Sequence, residues 1–210
     1  MGPNVDKLFL EIHGQPVVAH TWRRFDQIPE IAEIILVVRD GLQSAFTALV
    51  EKYSFRKPYR FVPGGKERQD SVWNGLSALS SETEIVAIQD AARPCTPADL
   101  ITATITAARE AGAAVAAQPV TDTIKESRDG KLIERTLDRS RLWAVQTPQT
   151  FRVEIIRRAL TEVRRQGLQV TDDTAACELI QQPIRLVICT RPNPKMTRPE
   201  DLAYISALLT

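Results

Sequence analysis

Ile85-Val86-Ala87-Ile88-Gln89-Asp90-Ala91-Ala92-Arg93-Pro94 is the stretch from which the rest of the chain can be read. Four consecutive apolar residues, two of them isoleucine and one valine, have the habit of a strand covered on both faces in the middle of a parallel sheet. The strand stops at charge: Gln89, Asp90 and Arg93 follow at once, and Pro94 and Pro97 bar further pairing. A carboxylate and a guanidinium are thereby delivered to the carboxyl edge of the sheet, where open α/β folds bind ligands. A turn carboxylate answered by a local ion pair fits the same residues. Position alone therefore leaves Asp90 and Arg93 between a catalytic and a structural role.

Strands and helices alternate outward from this stretch. Lys7 precedes the apolar Leu8-Phe9-Leu10, Gly14 to Pro16 punctuates, and a helix is expected over 17–25. Ile34-Ile35-Leu36-Val37-Val38 is a second apolar run, and Phe46, Leu49, Val50 and Tyr53 place a helix over 42–54. A strand over 59–62 leads to Gly64-Gly65 and a helix starting near Gln69. A helix over 99–112 stops at Gly112, and a small-residue strand covers 113–119. Val153, Ile156 and Leu160 mark another helix, 185–189 the last strand, and Leu202, Ile205, Leu208 and Leu209 the closing helix. The alternation predicts an α/β fold, a Rossmann-like and mostly parallel sheet with helices on both faces. Asp129-Gly130 suits a tight turn between 123–125 and 131–133, so about 121–139 is expected to project as a β-hairpin arm.

With 210 residues, 43% of them hydrophobic, the chain is long enough for one domain over 1–210 and short for two. Its net charge of +1 gives no reason to expect nucleic acid or a membrane surface as partner. Cys95, Cys177 and Cys189 are widely spaced without a CxxC pair, which argues against a disulfide framework or zinc site and fits a reducing cytoplasm. Only two histidines, His13 and His20, are present, and both are assigned structural roles. No apolar run approaches the roughly 18 residues of a membrane span.

Two further polar clusters stand at strand-to-helix junctions. Gly64-Gly65 with Lys66, Arg68 and Ser71 combines glycines that let backbone approach a ligand with a helix N-terminus and positive charge, a combination suited to a nucleotide or phosphate. It is neither a Walker loop nor a GxGxxG, and a simple turn explains it as well. Arg191 to Asp201 follows the last strand and delivers Lys195 to the same edge as Asp90.

Seven short motifs lie in register from Lys7 to the C-terminus: GGKERQDSV at 64–72, DAARP at 90–94, TDTIK at 121–125, LDR at 137–139, TPQ at 147–149, TDD at 171–173 and TRPEDL at 197–202. Together they resemble the 2-C-methyl-D-erythritol 4-phosphate cytidylyltransferase family of the non-mevalonate isoprenoid pathway. The resemblance implies transfer of a cytidylyl group from CTP to methylerythritol phosphate with release of pyrophosphate, assisted by Mg²⁺. It implies that Lys7 and Lys195 contact phosphate, that Gly65, Arg68 and Ser71 bind cytidine, and that Asp90 is the catalytic, metal-associated aspartate. Arg93, Thr123, Arg139, Thr147 and Thr171 match positions that hold the methylerythritol phosphate. It also implies a homodimer in which the arm embraces a second subunit.

The family begins with a buried strand and a glycine-rich loop, whereas here Asp6-Lys7-Leu8 replaces a proline-lysine-glutamine at the loop's end and keeps only the lysine. The 210-residue sequence is therefore expected to be a truncated form. A cytidylyltransferase for another polyol phosphate, such as ribitol 5-phosphate, and a non-catalytic nucleotide-binding homologue lacking the phosphate loop remain alternatives.

Overall fold

The computed structural model describes residues 7–209; Met1 to Asp6, with the Asp6 substitution noted above, and Thr210 lie outside the described residues. A turn of 3₁₀ helix at Lys7–Phe9 leads into a small hairpin, β1 (Glu11–Ile12) and β2 (Gln15–Pro16), and then α1 (Val17–Asp26). There follow β3 (Ile34–Val38), α2 (Gln43–Tyr53), β4 (Tyr59–Pro63), α3 (Arg68–Ser77), β5 (Ile85–Ile88) and α4 (Ala98–Ala111). After β6 (Ala113–Pro119), the arm carries β7 (Lys125–Glu126) and β8 (Arg135–Thr136). The chain closes with β9 (Trp143–Arg152), α5 (Val153–Gln166), α6 (Asp173–Leu179), β10 (Arg185–Ile188) and α7 (Asp201–Leu208).

β10, β6, β9 and β5 form one sheet in that order, and β3 pairs β4 in parallel. β10 and β6 are parallel, whereas the ten-residue β9 runs antiparallel to both β6 and β5. Three of its four strands run in one direction and β9 runs against them, so the sheet is mostly, not purely, parallel by strand direction. The fully buried strand is β6, whose first five residues, Ala113 to Ala117, have no more than 2% of their surface exposed. Their small side chains let α4 lie close, with Ala107 and Ala108 against Ala114. β5, expected at the middle, is only half-buried at all four residues, because among the described residues it pairs on one side alone.

The largest core lies between the sheet and α5, where Phe151, Ile156, Leu160 and Val163 are buried together with Leu76 of α3. Gly112 ends α4 with φ +87, a conformation that glycine adopts without strain. On the other side of β5, Ile34 of β3 and Ile85 and Ala87 of β5 pack on one cluster formed by Phe25, Ile28, Ile101 and Ile105. Leu8 touches the cluster containing Val38, the last residue of β3, and the cluster containing Ala92, just past β5.

The arm differs in register from the sequence expectation. Lys125 pairs Thr136 and Glu126 pairs Arg135, so 131–133 belongs to the tip rather than to the returning strand. The cause is Asp129, whose carboxylate accepts the backbone N–H of Lys131 (2.8 Å) and Leu132 (3.0 Å) and so wraps the tip around itself.

Candidate active site

The residues after β5 turn back on themselves, with the Arg93 N–H donating to the Asp90 carbonyl at 3.1 Å. The turn brings the Arg93 Nε within 3.2 Å of Asp90 Oδ2. From the loop between β10 and α7, Lys195 Nζ reaches the same oxygen at 3.0 Å. That loop is stitched to the turn by the Met196 N–H, which donates to the Ala92 carbonyl at 2.8 Å, and by Arg93, which donates to the Asn193 carbonyl at 2.7 Å. Thr147 of β9 accepts the Asp90 N–H on its hydroxyl at 3.1 Å. Asp90 and Arg93 of one turn, Thr147 of β9 and Lys195 of the last loop therefore meet at one sheet edge.

Asp90 and Arg93 are mostly covered, with 18% and 11% of their side chains exposed, while Lys195 keeps 40%. Burial alone would push the Asp90 carboxyl up, but Lys195 and then Arg93 outweigh it and hold the carboxyl below its ordinary value. The site thus carries one ionised carboxylate against two cations, an excess of positive charge suited to phosphate.

The second cluster is the glycine loop. The Gly64 N–H donates to the Val38 carbonyl at 2.8 Å, and the Gly65 N–H to the Ser71 hydroxyl at 3.0 Å. Ser71 is thereby engaged in shaping the loop. A Cβ on Gly65 would lie 2.3 Å from the Asp70 Cβ and 2.8 Å from its carbonyl carbon, so no side chain fits without moving the helix start. Arg68, the first residue of α3, donates through both terminal nitrogens to the two carboxylate oxygens of Asp173, at 3.0 and 2.6 Å.

Thr171 is exposed on the segment leading to α6, next to Asp172, which caps that helix by accepting the Ala175 N–H at 2.8 Å. Lys7 is half-buried in its 3₁₀ turn. Thr123 and Arg139 lie exposed on the arm, where Arg139 donates to the Thr121 carbonyl at 2.7 Å; neither is hydrogen-bonded or ion-paired to Asp90, Arg93 or Lys195.

Two residues to which the sequence assigned no role hold the site together. Asn193, 2% exposed, donates from its amide to the Thr147 carbonyl and the Gln146 side chain, each at 3.0 Å, and accepts the Thr96 hydroxyl at 3.0 Å. Gln149 donates to Asp172 at 2.9 Å and accepts the Asp173 N–H at 3.0 Å. The signal for Asn193 was available, since an asparagine locked between Pro192 and Pro194 is held rather than mobile. The histidines are structural, as expected: His20 meets the Ile12 carbonyl at 2.9 Å and His13 the Ser206 carbonyl at 3.0 Å. Burial pushes the Cys95 thiol up to about 11 and the Cys177 thiol up to about 12, so neither is a thiolate nucleophile at neutral pH.

The family model described as 2-C-methyl-D-erythritol 4-phosphate cytidylyltransferase matches residues 1–210. A protein of that name from Desulforamulus reducens is 41% identical over 210 residues, covering 100% of this chain and 90% of its own. One from Geobacillus thermodenitrificans is 42% identical over 209 residues, covering 100% and 91%. The crystal structure of 4-diphosphocytidyl-2C-methyl-D-erythritol synthase from Anaerococcus prevotii superposes with a TM-score of 0.88 at 30% identity, covering 96% of this chain and 92% of that one.

Proposed function

Because the chain belongs to the 2-C-methyl-D-erythritol 4-phosphate cytidylyltransferase family, we propose that it joins CTP and 2-C-methyl-D-erythritol 4-phosphate to give 4-diphosphocytidyl-2-C-methyl-D-erythritol and pyrophosphate, a step of isoprenoid precursor biosynthesis. The observation that carries this reading is the convergence of Lys195, Arg93 and Thr147 on Asp90, whose charge also acts on Arg68 just after the glycine loop.

The reaction is an in-line displacement. A phosphate oxygen of the polyol phosphate forms a bond to the α-phosphorus of CTP, the α–β bridging bond breaks, and pyrophosphate leaves with its electron pair. No side-chain nucleophile is needed. Gly65 lets the loop that meets the cytidine pack directly on the start of α3, Ser71 keeps the loop in shape and Arg68 adds charge beside it. Lys195, together with Lys7, neutralises the triphosphate, and Arg93, Thr147 and Thr171 hold the polyol phosphate, with Thr123 and Arg139 brought to it from an arm. Charge placed in advance where it develops is the main catalytic device of such sites.

Asp90 fits a divalent metal. It is an ionised carboxylate whose contacts with Arg93 and Lys195 both fall on Oδ2, so Oδ1 is the oxygen that would meet the ion. Mg²⁺ is commonly held in this way, by one or two carboxylates plus substrate phosphates. When bound, it supplies neutralisation of the triphosphate charge.

The arm supports a homodimer. Its paired strands are two residues each, too short to stand alone in water, and its tip exposes Leu132 by 74% and Ile133 by 65%. A cytoplasmic location is supported by three free, buried cysteines. No helix among the described residues is long and apolar enough to cross a membrane.

The test is pyrophosphate release from CTP and Mg²⁺ with methylerythritol phosphate or ribitol 5-phosphate, with the product identified by ³¹P NMR. Methylerythritol phosphate should be turned over faster. A preference for ribitol 5-phosphate would reassign the polyol, and release with neither would leave the non-catalytic homologue.

A further inference from the structure

We infer that Asp173 is a positioning residue that couples the two substrate sites, acting through Arg68. This rests on the cytidylyltransferase reading for what binds on either side of it. Its carboxylate is fully buried and grips both terminal nitrogens of Arg68, at the first residue of α3. Burial pushes the Asp173 carboxyl above its ordinary value and Arg68 only partly offsets it, so swinging the guanidinium away onto a phosphate would strand a buried charge. Arg68 therefore serves the nucleotide from a fixed place.

The ion pair is the centre of a seam. Gln69 accepts the Val170 N–H at 3.1 Å and donates to the Leu168 carbonyl at 3.0 Å, while Gln169 donates to the Glu67 carboxylate at 3.1 Å. The first turn of α3, which carries the glycine loop, is laced in this way to residues 168–173, which carry Thr171. From Asp173 the connection continues through Gln149 to β9 and so to Thr147 and Asp90. Ordering either side by its substrate orders the other, and each substrate should bind more tightly in the presence of its partner, by a factor on the order of 5 to 150.

Asp173→Asn keeps the shape and removes the charge. Two measurements on the whole chain decide the inference. In ligand-free protein, hydrogen exchange should rise in both 64–69 and 168–172, and a rise confined to one of them would overturn the seam. In calorimetry with α,β-methylene CTP, which cannot react, and methylerythritol phosphate, the mutual tightening should fall to about onefold. A purely structural role would weaken each affinity and leave that ratio as it was. If Asp173→Asn does not fold, Arg68→Lys preserves the charge pair without its two-point grip, and an unchanged ratio there overturns the inference. Binding of neither ligand to the parent protein would refute the proposed function instead, while the exchange result still decides the seam.

Discussion

The side-chain amide of Asn193 donates to the carbonyl oxygen of Thr147 at 3.0 Å, and the carbonyl of the same asparagine accepts the Arg93 guanidinium at 2.7 Å. One buried residue thus fixes the distance between β9 and the loop that delivers Lys195. Asn193→Ala strands the Thr147 carbonyl and takes a partner from the Gln146 side chain, at about 1–3 kcal/mol for a buried group left unpaired, while the Thr96 hydroxyl keeps the Arg93 carbonyl. The variant should melt lower and turn over at least tenfold more slowly. Unchanged turnover in a destabilised variant would reduce Asn193 to a stabilising role.

Lys195→Ala should lower turnover by a factor on the order of 10² to 10³ and cost far less in stability, because the lysine is 40% exposed and Asp90 keeps Arg93 as a partner. The pH dependence follows from Asp90. A depressed carboxyl contributes stability that is present above its unfolded value and lost as pH falls through its folded one, so the parent Asp90 stays ionised throughout the ordinary carboxylate range. Lys195→Ala removes the strongest downward pull and should move that acid loss to higher pH. Asp90→Asn should abolish the shift altogether and weaken the Mg²⁺ dependence. An identical acid limb in parent and Lys195→Ala would contradict this assignment.

Gly65→Ala places a methyl group 2.3 Å from the Asp70 Cβ. The loop must move, and CTP should bind at least tenfold more weakly while methylerythritol phosphate binding alone holds. Parallel titrations check it; equal losses for both ligands would mean that the damage is global.

Most strands and helices were legible in the sequence because their periods are clean. β3 and β6 span the residues expected of them, and α2 and α4 agree to within a residue at each end. β9 was not legible. Pro148 within it argues against a strand, and its buried residues include Thr147 and Gln149, which are polar because they hold the site, and Thr150, which bonds Thr104 of α4. Without β9, the antiparallel pairing of β5 could not be foreseen. The chemistry-bearing residues were found by motif, but not their supports: Asn193 and Gln149 act through bonds to residues 46 and 24 positions away. Asp173, seen only as part of TDD, showed nothing of its pairing with Arg68, 105 residues upstream.

β3 and β5 each pair on one side only among the described residues, share a hydrophobic cluster, and converge near Leu8 at their carboxyl ends. An extended apolar strand placed between them would pair with both. A version of the protein extended ahead of Met1 by such a strand and a glycine-rich loop should melt higher, bind CTP more tightly and release pyrophosphate faster. Equal rates from the two versions would show that the loop is dispensable.

The arm yields the last prediction. Arg139 sits at its base with no bond to the Asp90 cluster of its own chain, and the apolar tip needs a surface to cover. If the arm crosses to a second subunit, Arg139 serves the neighbour's Lys195. Arg139→Ala and Lys195→Ala proteins, each nearly inactive alone, should then recover activity when unfolded and refolded together. Recovery should approach about a quarter of the parent level, since half of randomly paired dimers are mixed and each mixed dimer has one intact site of two. An arm that folds back on its own domain gives a different result. Every mixed dimer would then contain two sites with one lesion each, and the mixture would stay as inactive as its components even with mixed dimers demonstrated by mass spectrometry.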